Sequence, residues 1–250
     1  MGPSPFLTLS SLPITIPKTG NSVTTPVQAF ANMWALQKTA GERKGSWDWL
    51  QFEQEPWEAK GSGYYGACLA AIASGRAPEH YSSSLEIQSN LAFLREYLRD
   101  HASSQSTINR VFLLWASTEL PSLLSSAEQQ SIIHEALDHQ QSDGGWRLAS
   151  IAWNWKRSDT TILVKMWLRE EGTPLGGTSD SVATGLLVYV LQRAGVPIDN
   201  LQLQKGFSWL RSNQTADGDW PAASINMRRH MSQNTRLFMN DAGTAFAVLA

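Results

Sequence analysis

The sequence of 250 residues has a single cysteine, Cys68. One thiol excludes an internal disulfide framework and a multi-thiolate zinc site, and its setting in GACLAAIA (66–73) reads as that of a small buried hydrophobe. Charge is also scarce: Asp, Glu, Lys and Arg make up 17% of the chain, and 20 basic against 22 acidic residues leave a net charge of -2. No basic block stands out, so no nucleic-acid partner is expected. No apolar run approaches the roughly 18 residues of a membrane span. The opening MGPSPFLTLSSLPITIPKTG is broken by Pro and Ser and lacks a basic leader, which makes it a poor signal peptide. A cytoplasmic location is the expectation. The five histidines show no metal-binding spacing and no His-Glu-x-x-His, so neither a metal nor another cofactor is expected.

Period-two strand runs are missing as well; helical patterns of two kinds alternate instead. In residues 82–102, Ile87, Leu91, Leu94 and Leu98 form one apolar stripe with charged residues opposite. Residues 27–40, 125–140 and 200–214 read the same way. Residues 61–75, 106–118, 179–195 and 240–250 are apolar nearly all round and rich in Gly, Ala and Ser. A helix apolar on every side must be buried on every side, and small residues let neighbouring backbones approach. Four half-exposed helices alternating with four buried ones predict an all-α fold of about four helical hairpins, the buried helix of each pair lying inside. That arrangement is an α/α toroid, or partial α-α barrel. Residues 1–26 read as an extended N-terminal segment and 27–250 as one domain.

The chain holds 11 tryptophans, and several recur where amphipathic helices end. LQKTAGERKGSWDW (36–49), DHQQSDGGW (138–146) and RSNQTADGDW (211–220) each carry Gln, then Gly, then Trp. The Gly suits a left-handed cap, the Gln amide can satisfy orphan backbone groups, and the Trp covers the polar junction. In the last copy Lys205, Gly206, Trp209, Leu210, Gln214, Gly218 and Trp220 resemble, position by position, the QW motif of squalene–hopene and oxidosqualene cyclases. Gln140, Gly144 and Trp146 match its second half, and Gln37, Gly45 and Trp47 match it with insertions. The resemblance, which covers most of residues 27–250, is to the terpenoid cyclase and protein prenyltransferase type of toroid. In that family these repeats are structural, which implies the same for Gln140, Trp146, Gln214, Gly218 and Trp220.

The resemblance implies an isomerase of the class II terpenoid cyclase kind, handling an isoprenoid or other apolar small molecule in a Trp- and Tyr-lined cavity. Tyr64, Tyr65 and Trp115 are the candidate lining. Such cyclases protonate carbon with an acid from an Asp-x-Asp-Asp cluster, which must be strong yet kept protonated in a dry site. The corresponding positions here, GTSDSVATG (177–185) and MNDAGTAFA (239–247), hold one aspartate each, Asp180 and Asp241, without the cluster. Both are candidate acids, and Ser179, Asp180, Asn240 and Asp241 also read as helix N-caps. A prenyltransferase-type zinc held by Asp, Cys and His finds no partners beside Cys68. GSGYYG (61–66) has the Gly-x-Gly-x-x-Gly spacing but no preceding strand, so close helix packing explains it better. The sequon Asn213-Gln214-Thr215 falls inside a helix end.

Two tryptophan-rich segments remain. Glu53, Glu55 and Glu58 lie among Trp47, Trp49 and Trp57, a pattern open to three readings: a rim loop, a cation-handling pocket, or a sugar site with an acid pair beside aromatic platforms. Residues 151–172 bring Trp153, Trp155 and Trp167 into a long insertion, where Asp159 suits a helix cap and Met166 with Trp167 suits an apolar pocket or a peripheral membrane contact. AFAVLA (245–250) reads as uncapped apolar helix, so closure of a partial ring by a further chain segment or by a homo-oligomer is expected. A non-catalytic toroid for binding or assembly, and a carbohydrate-active toroid, stand beside the cyclase-like reading.

Overall fold

The structure, a computed structural model, describes residues 25–50, 56–58, 61–152, 179–222 and 233–250. Among these residues it is all-helical, without strands. The α-helices are α1 (Pro26–Ala35), α2 (Ser62–Arg76), α3 (Gln88–His101), α4 (Thr107–Glu119), α5 (Ser126–Asp138), α6 (Leu148–Ala152), α7 (Ser181–Arg193), α8 (Leu201–Asn213) and α9 (Gln233–Leu249). Their starts follow from local chemistry. Pro26 occupies the first turn of α1 under a Thr25 cap, Ser125 and Glu128 form a reciprocal capping box on α5, and the Asn200 side chain accepts the N–H groups of Gln202 and Leu203 at α8.

Helices α2, α4, α7 and α9 pack side by side in chain order, while α3, α5 and α8 back onto α2, α4 and α7. The four inner helices run parallel. Arg76, Glu119 and Arg193, at the carboxyl ends of α2, α4 and α7, join in one ion cluster with Glu119 oxygen distances of 3.7 and 2.8 Å. The Gln192 amide donates to the Ala250 carbonyl at 2.8 Å, bringing the end of α9 alongside. Small residues permit this spacing. A Cβ on Gly75 would fall 2.2 Å from the Glu119 carbonyl oxygen, and one on Gly185 would fall 2.6 Å from the Ala247 nitrogen. The core is continuous from Trp34 and Trp47 to Trp220 and Met239. α2, α4 and α7 are buried nearly all round, as their composition predicts.

Three connections share one geometry. The side-chain amides of Gln37, Gln140 and Gln214 donate to the carbonyls of Gly45, Gly144 and Gly218 at 3.1, 2.8 and 2.9 Å. These glycines have φ of +92°, +91° and +89°, a region that an L side chain enters only at a cost. The indoles of Trp47, Trp146 and Trp220 then reach back to the carbonyls of Met33, Ala136 and Leu210 at 2.6, 2.7 and 2.8 Å. In each copy the acceptor lies four residues before the glutamine, so the inserted residues of the first copy leave the geometry unchanged. The connection from α3 to α4 lacks the motif. A forked ion pair between Arg110 of α4 and Glu135 of α5 ties the helices there, with Nε to Oε2 at 2.8 Å.

The structure corrects three readings. Helix α1 ends at Ala35, and Leu36 to Ser46 turn through the first junction instead of continuing a helix to residue 40. Helix α9 begins at Gln233, so Asn240 and Asp241 lie within it and cap no helix start. Five-residue α6 was not predicted, being too short for periodicity to register.

The two ends of the series differ in one respect. A Cβ on Gly45 would lie 2.0 Å from the Phe93 carbonyl oxygen, whereas one on Gly218 would meet only the Gln214 amide at 3.9 Å. Gly218→Ala is therefore expected to cost about 1 to 2 kcal/mol for the left-handed backbone alone. Gly45→Ala is expected to cost about 2 to 5 kcal/mol, because steric overlap adds to that strain. Urea unfolding of both variants measures the difference; equal losses would contradict the packing described.

Candidate functional site

Of the two candidate acids, Asp180 stands at the amino end of an inner helix and Asp241 lies within one. Asp180 precedes α7 and is half-buried. Its Oδ1 accepts the Ala183 N–H at 2.9 Å and its Oδ2 accepts the Leu148 N–H at 2.5 Å, so one carboxylate caps α7 and holds the start of α6. Burial pushes its pKa up to about 6, against the backbone donors and the charge of Arg147, which pull it down. The peptide of Trp146 is fixed beside it: Thr184 Oγ1 accepts the Trp146 N–H at 2.9 Å, and the Asp180 N–H donates to the Trp146 carbonyl at 2.8 Å.

The same arrangement recurs at α9 with a different residue. Thr244 Oγ1 accepts the Trp220 N–H at 3.0 Å, and Asn240 Oδ1 accepts the Ala222 N–H at 2.9 Å. The counterpart of Asp180 is thus Asn240, each four residues before its threonine. Asp241 is one position off and exposed. The repeated spacing Asp180-x-x-x-Thr184 and Asn240-x-x-x-Thr244 is visible in the sequence, and it is the signal that pairing the two aspartates overlooks.

Asp143, missed in the sequence, organises the outer side of the second junction. Its carboxylate accepts the Ser179 hydroxyl at 2.6 Å, the Gly145 N–H at 3.1 Å and the Trp209 indole at 3.3 Å. Burial raises its pKa, but these donors outweigh that and hold the carboxyl below its usual range. Open clefts of about 390 and 360 Å³ flank it, the first with Ser208, Trp209, Ser212 and Asn213 on its walls and the second with Gln204 and Lys205.

The candidate lining residues meet in the core. Tyr65 of α2 lies 5.9 Å from Trp49 and 6.3 Å from Trp57 between ring centroids, and 4.6 Å from Phe112 of α4. Phe112 continues to Trp115 at 6.0 Å, and Trp115 to Tyr189 of α7 at 5.1 Å. The result is an aromatic ladder running diagonally across three inner helices. Its middle is buried, while Trp49, Trp57 and Tyr189 at its ends are half-buried. The Trp49 indole donates to the Trp57 carbonyl at 2.6 Å, but the indole nitrogens of Trp57 and Trp115 are buried without a hydrogen-bond partner. Tyr64 stands apart: its hydroxyl donates to the Leu98 carbonyl at 2.6 Å and pins α2 to α3.

Phe112 and Tyr189 were not singled out in the sequence, where an apolar helix gives no sign of which residues align across helices. Glu53 and Glu55 lie outside the described residues, as do Trp153, Trp155, Asp159, Met166 and Trp167. Glu58 is half-buried near Tyr65. Burial pushes the Cys68 thiol up, consistent with an inert core residue. His134 and Asp138 form an exposed pair at 3.6 Å. In GSGYYG, Gly66 makes room for the Trp49 ring. Among the described residues no group of His, Cys, Asp and Glu could hold a metal ion, and no helix is long and apolar enough to cross a membrane. No protein-family model matches the chain, and no curated protein matches it.

A carboxyl whose folded pKa is raised to about 6, above its ordinary value of 3.8, takes up its proton more readily in the fold than in the unfolded chain. Its ionisation therefore erodes stability as pH rises from about 4 to about 6, by on the order of 1 to 3 kcal/mol. Asp180→Asn removes that slope and forfeits one accepted hydrogen bond, a loss of about 1 kcal/mol at every pH. Unfolding free energies for both proteins between pH 4 and 7 are expected to diverge in slope. Parallel profiles would contradict the assignment of a raised pKa to Asp180.

Proposed function

We propose that the chain forms part of an α/α toroid of the terpenoid-cyclase type, and that it binds a long apolar molecule of isoprenoid character against its aromatic ladder without protonating it. The parallel row of inner helices, three of them backed by an outer helix and three entered through Gln-Gly-Trp junctions, supports the toroid. The observation that carries the functional reading is the disposition of the two aspartates against the ladder. Asp180 has an N–H on each carboxylate oxygen, and Asp241 is exposed and out of register with it. The ladder, in contrast, ends in the half-buried rings of Trp57 and Tyr189, whose accessible faces suit unsaturated hydrocarbon.

Titration of the protein with squalene and with geranylgeraniol in detergent micelles, followed by tryptophan fluorescence, tests this. Saturable quenching is expected, weakened about tenfold, or 1.4 kcal/mol, by Tyr189→Ala and unaffected by Asp180→Asn. Gas chromatography of the same mixtures, and of mixtures with C15 to C20 prenyl diphosphates, is expected to show no cyclised product. A folded protein that none of these ligands quenches would overturn the binding reading. A cyclised product that disappears in Asp180→Asn would make Asp180 a catalytic acid instead.

A further inference from the structure

The three Gln-Gly-Trp junctions differ in what covers them. At the first, the Gln37 amide also donates to the Asn90 carbonyl of α3 at 3.0 Å, and Gly45 lies against Phe93, three residues further along that helix. At the second, the Gln140 amide also donates to the Gln202 carbonyl of α8 at 2.6 Å, and Gly144 lies against Lys205, again three residues on. The register is common to both. The helix following the inner helix places a first-turn carbonyl on the glutamine and its next turn on the glycine. Seven and eight residues past that carbonyl come an aromatic and a leucine: Tyr97 and Leu98 in α3, Trp209 and Leu210 in α8.

At the third junction, among the described residues, the Gln214 amide donates to Gly218 alone and nothing but that amide lies within 4 Å of a Cβ built on Gly218; Gln214 is exposed. The adjoining helix agrees. α9 packs on α7 like the other inner helices, yet Leu237, Phe238 and Val248 are 49, 43 and 72% exposed. An outer helix backs α2, α4 and α7; none of the described helices backs α9.

We propose that the third junction and the free face of α9 form a seat for one further amphipathic helix of the α3 and α8 kind. Its first-turn carbonyl would accept from Gln214, its second turn would cross Gly218, and its apolar stripe would cover Phe238 and Val248. The occupant follows from the interface that this chain makes twice, continued by one repeat. Burial of the exposed apolar side chains supplies the driving force, and a second bond from the Gln214 amide, of the kind that Gln37 and Gln140 make, sets the register.

The test is binding of a dye-labelled synthetic peptide with the sequence of residues 196–216, which carries the α8 pattern, to the whole protein. Fluorescence anisotropy is read together with amide hydrogen exchange. Saturable binding is expected, weakened at least tenfold by Val248→Glu and unchanged by Leu85→Glu, which alters an exposed leucine far from the seat. Exchange protection is expected at residues 214–220 and 237–248. No saturable binding, equal weakening by both variants, or protection confined to residues 140–146 would overturn the proposal. So would self-association of the protein, abolished by Val248→Glu, with no peptide binding, since the face would then belong to a second copy. None of these readouts depends on an isoprenoid ligand, so the seat and the binding function fail separately.

Discussion

A glutamine amide closing a turn on a left-handed glycine is the interaction on which the remaining structure depends. It solves the problem raised wherever an amphipathic outer helix gives way to a buried inner one: backbone polar groups would otherwise meet an apolar layer unpaired. The glutamine takes up the glycine carbonyl, the glycine lets the chain reverse tightly against the next helix, and the tryptophan shields the turn while donating back to the outer helix that precedes it. In the first two copies the same amide reaches a neighbouring outer helix, so one side chain closes its own turn and sets the spacing of the repeat. The connection between α3 and α4 lacks the motif, and there Arg110 at the start of α4 reaches the next outer helix, α5, through charge-assisted bonds to Glu135.

The chemistry is shaped by this architecture. The chain just past the junction tryptophans runs against an inner helix, so its N–H groups need acceptors there. Asp180, at the start of α7, and Asn240, within α9, provide them for Leu148 and Ala222, each two residues past its tryptophan. That one is ionisable and the other is not indicates that the position requires an oxygen acceptor rather than a negative charge. The raised pKa of Asp180 is the consequence of placing a carboxylate where an amide serves elsewhere in the same chain. Aromatic residues collect deeper in the row, where Gly66 admits the Trp49 ring and Gly75 brings α2 against α4.

Much of this was legible in the sequence. Hydrophobic periodicity separated α3 and α8 from α4 and α7, and Gln214-Gly218-Trp220 pointed to its own geometry, since each residue type has a single role in the turn. The copy with insertions, Gln37 to Trp47, was equally readable because the added residues loop out before Gly45. The start of α9 was not legible: a stretch with Met and Asn at 239–240 resembles a cap when no tertiary contact is in view. The ladder was half legible. Tyr65 and Trp115 stood out as large residues in small-residue helices, but Phe112 and Tyr189 join them only through the packing of three helices separated in sequence. Asp143 gave no signal, because its partners Ser179 and Trp209 lie 36 and 66 positions away.

The most direct measurement is the unfolding free energy of three single variants, Gln37→Ala, Gln140→Ala and Gln214→Ala. If the amide joins repeats as well as closing its turn, Gln37→Ala loses two donated bonds and one accepted from Asn90, Gln140→Ala loses two donated bonds, and Gln214→Ala loses one. At about 1 kcal/mol per bond, the first two are then each less stable than the third by about 1 kcal/mol or more. Equal losses in all three would mean that the glutamine only closes its own turn, and the repeat would have to be held together by packing alone.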